Sequence, residues 1–330
     1  MRVLVTGGAG FIGSNFVRKM ISGAYPAFAE SEVVVLDKLT YAGNIDNLSG
    51  VADHPGFTFV QGDIRDEAVV RRAMSGADTV FHFAAESHVD RSIDSGLDFV
   101  ETNVTGTYTL LDAALALGVR RFVHVSTDEV YGSVPEGSSA EDDQLLPNSP
   151  YSASKASAEL LCRSFFVTHG LDVSVSRAAN TYGPYQFPEK LIPLSVTNLM
   201  DGGDVTLYGD GRNIRNWIHV DDHCAGVALV GEKGRAGEAY NIGGVDELGN
   251  HEIVDLLLSL TGHDRSRVRY VEDRKGHDRR YSLDCTRVTE ELGHRPRVRF
   301  EDGLADTVRW YSENRGWWEP MKKRVPSRWH

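Results

Sequence analysis

The chain predicts an α/β protein: a doubly wound parallel sheet with a smaller carboxyl-terminal α/β lobe. Three observations carry this expectation. Short apolar runs alternate with helix-period segments through residues 1–180. A glycine cluster, Gly7-Gly8-Ala9-Gly10-Phe11-Ile12-Gly13, stands between the first apolar run and the first helical pattern. The regular alternation lapses where the turn-rich Asn180-Thr181-Tyr182-Gly183-Pro184-Tyr185-Gln186-Phe187-Pro188 begins. Strands that alternate with helices are joined by crossovers, which covers both faces of a parallel sheet.

Val3 to Thr6 reads as a buried strand. Residues 11–22 read as a helix, with Phe11, Ile12, Phe16, Val17, Met20 and Ile21 at helical spacing. Further strands are expected at 33–36, 57–60, 79–83, 121–125 and 172–176, with helices at 66–75, 97–117 and 150–168. Beyond residue 180 the elements shorten: helix 191–201, strands 205–208 and 215–219, helix 222–231, strand 238–242, helix 250–260, and a late helix from Asp302 to Asn314. Two domains follow, 1–180 and 181–330, with some chain exchange between them. Residues 319–330, with Lys322, Lys323 and Arg324, read as a loosely held terminus.

With 330 residues, 41% of them hydrophobic, the chain can bury a sizeable core. A formal net charge of −12 excludes an overall basic field for nucleic acid or an anionic membrane. Cys162, Cys224 and Cys285 lie far apart and form no CxxC motif, which fits a reducing, cytoplasmic compartment. Met1-Arg2-Val3 leads straight into a strand, so no leader is expected. No apolar run approaches the roughly 18 residues a spanning helix needs.

Gly8, Gly10 and Gly13 satisfy G-x-G-x-x-G between a strand and a helix, and Gly7, Gly10 and Gly13 give a second frame. Small residues there let the backbone turn tightly and seat a pyrophosphate on the helix N-terminus. Asp37 ends the second strand 24 residues after Gly13. A carboxylate at that place accepts hydrogen bonds from a ribose and repels a 2′-phosphate, which favours NAD over NADP. Asp63-Ile64 and Phe83-Ala84-Ala85 follow the third and fourth strands, at the end of the sheet where ligands bind. The class is therefore Rossmann-type.

Tyr151 and Lys155 are four apart on an expected helix and share a face. A phenol of pKa about 10 is a poor base at neutral pH. A nearby ammonium and the positive nicotinamide ring are expected to lower it, so that Tyr151 takes an alcohol's proton while hydride leaves. Ser126-Thr127-Asp128-Glu129 adds an acid and a base that alcohol oxidation alone does not need. His219 and His223 bracket Asp221 and Asp222. One of these acids is expected to cap the following helix, and no metal site is expected.

With these motifs the chain resembles the extended short-chain dehydrogenase/reductase family over roughly residues 1–318, and within it the sugar-nucleotide 4,6-dehydratases. The specific segments are Thr127-Asp128-Glu129 and the one around Lys190, Pro188-Glu189-Lys190-Leu191; Glu86-Ser87-His88-Val89-Asp90-Arg91 and Gly276-His277-Asp278-Arg279 also match. The resemblance implies that dTDP-glucose is oxidised at C4, loses water across C5 and C6, and regains its hydride at C6. Tyr151 would act as base, Thr127 would bind the C4 oxygen, Glu129 would take the C5 proton, and Asp128 would protonate the departing hydroxyl. It also implies that Phe11, Ile12, Lys38, Thr40, Thr102, Val125 and Asn180 touch the dinucleotide. Arg215, Arg274 and Lys190 are the candidate cations for the diphosphate. Asn180, Leu191, Tyr208, Asn250 and His277 would line the same site, with Ser87 near the hexose. Lys275 and Asn216 depart from the family pattern, which bears on the choice of nucleotide base. The family's helices at 97–117 and 150–168 imply a homodimer through a four-helix bundle. The alternatives are a 4-epimerase, a dehydratase of a UDP- or GDP-sugar, and a non-catalytic NAD-binding regulator.

Overall fold

A computed structural model describes residues 1–326. The strands run β1 (Arg2–Thr6), β2 (Glu32–Asp37), β3 (Phe57–Gln61), β4 (Thr79–His82), β5 (Arg121–Thr127), β6 (Val173–Ala178), β7 (Asn180–Tyr182), β8 (Val205–Tyr208), β9 (Ile214–His219), β10 (Ala239–Ile242), β11 (Asp246–Gly249) and β12 (Val268–Val271). The helices are α1 (Phe11–Ile21), α2 (Glu67–Met74), α3 (Val89–Asp94), α4 (Gly96–Phe99), α5 (Gly106–Leu117), α6 (Pro150–His169), α7 (Leu191–Met200), α8 (Val220–Lys233), α9 (Asn250–Thr261), α10 (Thr286–Leu292), α11 (Phe300–Glu313) and α12 (Arg315–Lys322).

Seven parallel strands form the main sheet in the order β10-β6-β5-β4-β1-β2-β3. Successive side chains of a strand point to opposite faces. Val3, Val5, Val33 and Val35 therefore meet α1 and α8 on one side, in a core with Phe16, Val17, Val227 and Val230. Leu4, Val34 and Leu36 meet α2, α5 and α6 on the other, among Val70, Leu110, Leu111 and Phe165. Because both faces are buried, the strands read as unbroken apolar runs. The carboxyl ends of β1 and β4 lie side by side where the strand order reverses, and this opens a crevice.

The second lobe holds a small β11-β9-β7 sheet and the β12-β8 pair, packed with α7, α9, α11 and α12 around Tyr182, Trp217, Phe300 and Trp318. The chain crosses between the lobes. After β9 it returns, so that α8, β10 and α10 complete the amino-terminal core.

Two expectations need correction, and one helix is irregular. The helix expected over 97–117 runs without a gap but widens into π geometry at Val100–Thr105. That turn carries Asn103 inward, where its amide accepts from Glu86 N (2.9 Å) and donates to Glu86 O (3.0 Å) and Ser154 Oγ (2.8 Å). Such turns recur at functional sites. The carboxyl-terminal tail is not loose as far as it is described. α12 buries Trp318 and Met321, Val325 is buried beyond it, and Lys322 pairs with Asp201 at 2.8 Å. A few large apolar anchors outweigh the tail's charged composition; residues 327–330 lie outside the described residues. Neither Asp221 nor Asp222 caps α8. His219 does so, its Nδ1 accepting from Asp221 N. Asp221 instead pairs with Lys19 (2.8 Å), and Asp222 accepts from Arg297 N and Val298 N.

β6, α6 and the turn after β5 are tied by a buried ion pair. Arg177 Nη2 lies 2.7 Å from Glu159 Oε2, and Arg177 Nη1 donates to Tyr131 Oη (2.6 Å) and Glu141 O (2.8 Å). Removing one partner strands a buried charge. Arg177→Met is expected to lose about 3–5 kcal/mol in urea denaturation. The double variant with Glu159→Leu should recover most of that loss. An Arg177→Met protein as stable as the parent would contradict this account.

Candidate active site

Gly7 adopts φ +70°, and a Cβ there would lie 2.5 Å from Ala84 N. A Cβ at Gly13 would run into the Gly7 carbonyl. The cradle therefore admits only glycine at both places. No side chain caps α1, so its first turn keeps its N–H groups for an anion. Asp37 closes the cradle: its carboxylate accepts from Ala9 N (2.9 Å) and Leu39 N (2.8 Å). Burial raises its pKa, and these two bonds oppose the rise. Lys38 does not neutralise Asp37, because it pairs with Asp63 at 2.9 Å. Burial works against the Asp63 charge, but Arg65 and Lys38 outweigh it and hold its pKa down near about 2.

These residues border one cavity of about 630 Å3 that runs from the glycine loop into the second lobe. Gly10, Phe11, Ile12 and Thr40 line its dinucleotide end, with Ile64 and Thr102 beside them. Phe83, Ala84 and Ala85 supply small and apolar walls after β4, and Val125 and Asn180 border the cavity from the strands beyond. The cradle, the open helix end and the Asp37 carboxylate fit a dinucleotide without a 2′-phosphate.

Thr127 ends β5, and Asp128–Tyr131 forms a 3-10 turn behind it. Thr127 Oγ1 accepts from Glu129 N (3.2 Å) and donates to Asp128 Oδ1 (3.2 Å). Opposite stands the start of α6, fixed by a Ser149/Ser152 capping box and Pro150. It presents Tyr151 and Lys155, both buried. Lys155 Nζ donates to Val125 O (2.7 Å) and lies 3.4 Å from His124 Nε2. Burial brings the Lys155 pKa down to about 8, with Glu159 opposing. The expected lowering of Tyr151 is absent from the protein's own groups. Burial raises the phenol, Glu129 and Asp128 add to it, and only the Thr127 hydrogen bond pulls the other way. The Lys155 ammonium is bonded to Val125 O and lies beside His124.

Asp128 and Glu129 differ in what surrounds them. Asp128 is buried, its Oδ2 has no protein partner, and burial together with the Glu129 charge pushes its pKa up to about 8. Burial also raises Glu129, but Arg274, Lys190 and Arg215 oppose the rise. Burial thus pushes both carboxyls towards the protonated form, opposed at Asp128 by Arg215 and the Thr127 hydrogen bond and at Glu129 by the three cations.

Those three cations come from the second lobe. Lys190 donates to Ser87 O (2.7 Å), and Arg215 is stacked 4.2 Å from the Tyr281 ring while donating to Asp278 O (3.0 Å). Arg274 lies 3.6 Å from Asp90, and its buried Nε has no protein partner. His277 packs edge-on against Tyr208 and donates its Nδ1–H to the Asp273 carboxylate at 2.7 Å; burial and then Arg274 lower its pKa to about 4. Ser87, Leu191 and Asn250 also border the cavity. Sequence reasoning missed Glu86, Asp90, Glu189, Asn198, Arg269 and Tyr281, which line it as well. Glu86, Asp90 and Glu189 lay inside the matched motifs beside Ser87 and Lys190, so proximity was the available signal. Asn198 and Arg269 had none.

One cavity thus brings together a cradle for a dinucleotide, Tyr151 and Lys155 on one helix, and the Asp128 and Glu129 carboxyls. The sequence profile of the GDP-mannose 4,6 dehydratase family matches residues 4–307, and the chain belongs to that family. A dTDP-glucose 4,6-dehydratase of Streptomyces antibioticus is 58% identical, over 98% of this chain and 96% of that protein. The structure is similar to that of DesIV, a dTDP-glucose 4,6-dehydratase from Streptomyces venezuelae solved with NAD bound: TM-score 0.96, 61% identity, 97% of this chain and 100% of that one. A UDP-glucose 4-epimerase from Thermotoga maritima is less similar, with TM-score 0.87 and 33% identity over 95% of this chain and 99% of that one.

The raised Asp128 pKa has a consequence for stability. The fold holds this proton up to about pH 8, whereas an unfolded aspartate releases it near about 4. The folded state binds the extra proton in that window. The group's contribution is therefore full below about pH 4 and is lost as pH rises towards about 8. Thermal unfolding across this range should show a decline that Asp128→Asn lessens; parallel pH curves for the two proteins would refute the assignment.

Proposed function

We propose that the chain is a dTDP-glucose 4,6-dehydratase that uses NAD and yields dTDP-4-keto-6-deoxyglucose and water. The observation that carries this reading is the Asp128/Glu129 pair, placed beside Thr127 and Tyr151 and set against the cations Arg274, Lys190 and Arg215. The Asp37 carboxylate, the glycine cradle and the near full-length likeness to dTDP-glucose 4,6-dehydratases support the cofactor and the substrate. NAD, when bound, supplies reversible hydride acceptance. Thr127 holds the C4 oxygen and Tyr151 takes the C4 hydroxyl proton. The resulting C4 ketone acidifies the hydrogen on C5, which Glu129 removes. Asp128 gives its proton to the C6 hydroxyl as it leaves as water. The hydride removed from C4 is then delivered to C6 while Glu129 returns a proton to C5, so no net oxidation remains. Arg215, Arg274 and Lys190 neutralise the diphosphate.

A 4-epimerase needs Tyr151 and Lys155 but has no work for the acid pair, and the same pair argues against a non-catalytic regulator. Substrate carrying deuterium at C4 separates these readings: the label should reach C6 of a 4-keto-6-deoxy sugar. Glu129→Gln is expected to lower product formation at least about 100-fold, leaving slow C4 oxidation visible in the absorbance of reduced nicotinamide. Unlabelled C6, or full turnover by Glu129→Gln, would sink the mechanism.

We also propose a homodimer. Leu97, Tyr108, Leu160 and Val167 are exposed by 67%, 50%, 61% and 64% on α4, α5 and α6, an apolar surface suited to a four-helix bundle. Leu160→Asp should sediment as a monomer; a dimer undiminished at micromolar concentration would remove this surface from consideration. The described residues include no helix long and apolar enough to cross a membrane. All three cysteines are free thiols, which supports a cytoplasmic place of work.

A further inference from the structure

The glycine loop is held from outside by residues distant in sequence. Asn47, on the 3-10 helix Ile45–Val51, is buried. Its Nδ2 donates to Ala9 O at 2.9 Å, and its Oδ1 accepts the indole N–H of Trp317 at 2.9 Å. Its own carbonyl accepts from Arg18 Nη1 on α1 at 2.6 Å. Ala9 is thereby gripped at both ends, its N–H by Asp37 and its carbonyl by Asn47. Trp317 belongs to α12, in the other lobe. It is wedged against Trp310 (4.9 Å between ring centroids) and Tyr185 (5.4 Å), and the Arg18 guanidinium lies 4.3 Å from the Tyr185 ring centroid. A second contact runs parallel to the first. Met321 accepts a long hydrogen bond from Asn44 Nδ2 and shares a cluster with Phe187 and Val325, against which Tyr41 and Ala42 of the loop after β2 pack.

We propose that Asn47 and Trp317 are positioning residues for the dinucleotide loop, and that α12 acts through them as a clasp retaining the cofactor from one turnover to the next. The proposal rests on the reading above. An enzyme that returns its own hydride regenerates its cofactor in place and has no need to release it. Packing alone would require apolar contact from α12; it would not require a hydrogen-bonded line ending on the carbonyl of the glycine loop.

Two variants separate positioning from simple stability. Trp317→Phe keeps an aromatic wedge and deletes the indole donor. Asn47→Asp keeps the acceptor for the indole and deletes the donor to Ala9. Purified holoenzyme is chased with excess labelled NAD, and release of the resident NAD is timed. Release is expected to quicken roughly three- to tenfold in either variant, the loss of one buried hydrogen bond. With saturating NAD, kcat should stay within about twofold of the parent, while the apparent KM for NAD rises and the KM for the sugar nucleotide does not. Unchanged NAD release in both variants overturns the proposal. So does a fall in kcat and Tm with NAD release unmoved, which would make these residues structural only. The chase needs no turnover, so a failed dehydratase assay would count against the proposed function and leave this measurement readable.

Discussion

Two neighbouring carboxyls in a buried turn are both pushed towards the protonated form by burial, and cations from outside the sheet oppose that rise. Asp128 faces inward and has no protein partner for one oxygen. Glu129 faces Arg274, Lys190 and Arg215. None of these cations belongs to the sheet that carries the acids. The second lobe's cations thus act on a turn built by the first. The bridge is mutual: Lys190 donates back to the Ser87 carbonyl on the loop after β4.

The same dependence explains why the turn and α6 are so firmly joined. Tyr131 ends the turn that carries the acids, and Glu159 lies one helical turn beyond Lys155. Arg177 binds both, and the Tyr131 hydroxyl donates onward to Asn241 at 2.8 Å. A shift of α6 against β5 would therefore have to break a buried network. The relative placement of phenol and acids is fixed by groups that line no part of the substrate cavity. At its other end the cavity is held by Asp37 and Asn47, which grip Ala9 from opposite sides.

Much of this was legible in the sequence where one signal dominated. Val33-Val34-Val35-Leu36 could only be a strand buried on both faces, and the glycine loop, Asp37, Tyr151 and Lys155 declare their chemistry by type and spacing. What was not legible depended on partners distant along the chain. Nothing near Trp318 and Met321 shows that they are buried, because much of what they pack against, such as Tyr182, Ile192 and Phe187, lies more than a hundred residues earlier. Asn103 draws its turn into π geometry to satisfy Glu86 and Ser154, a tertiary demand with no local pattern. His219 takes the cap that its acidic neighbours seemed designed for, because Lys19 and the backbone at Arg297 claim those acids first. Tyr151 is raised by the very carboxyls that distinguish the site, a coupling that the Tyr-x-x-x-Lys spacing does not contain.

The return of the chain to the main sheet bears on how such a protein can diversify. α8, β10 and α10 all follow the point where the alternating pattern lapses, yet they close the core beneath the dinucleotide cradle. A recombination at residue 180 that exchanged everything downstream would bring in a foreign second lobe and, with it, a foreign edge strand and two foreign helices for the main sheet. New substrate ranges are therefore easier to reach by altering the loops and helices around Lys190, Arg215 and Arg274 in place than by exchanging lobes whole.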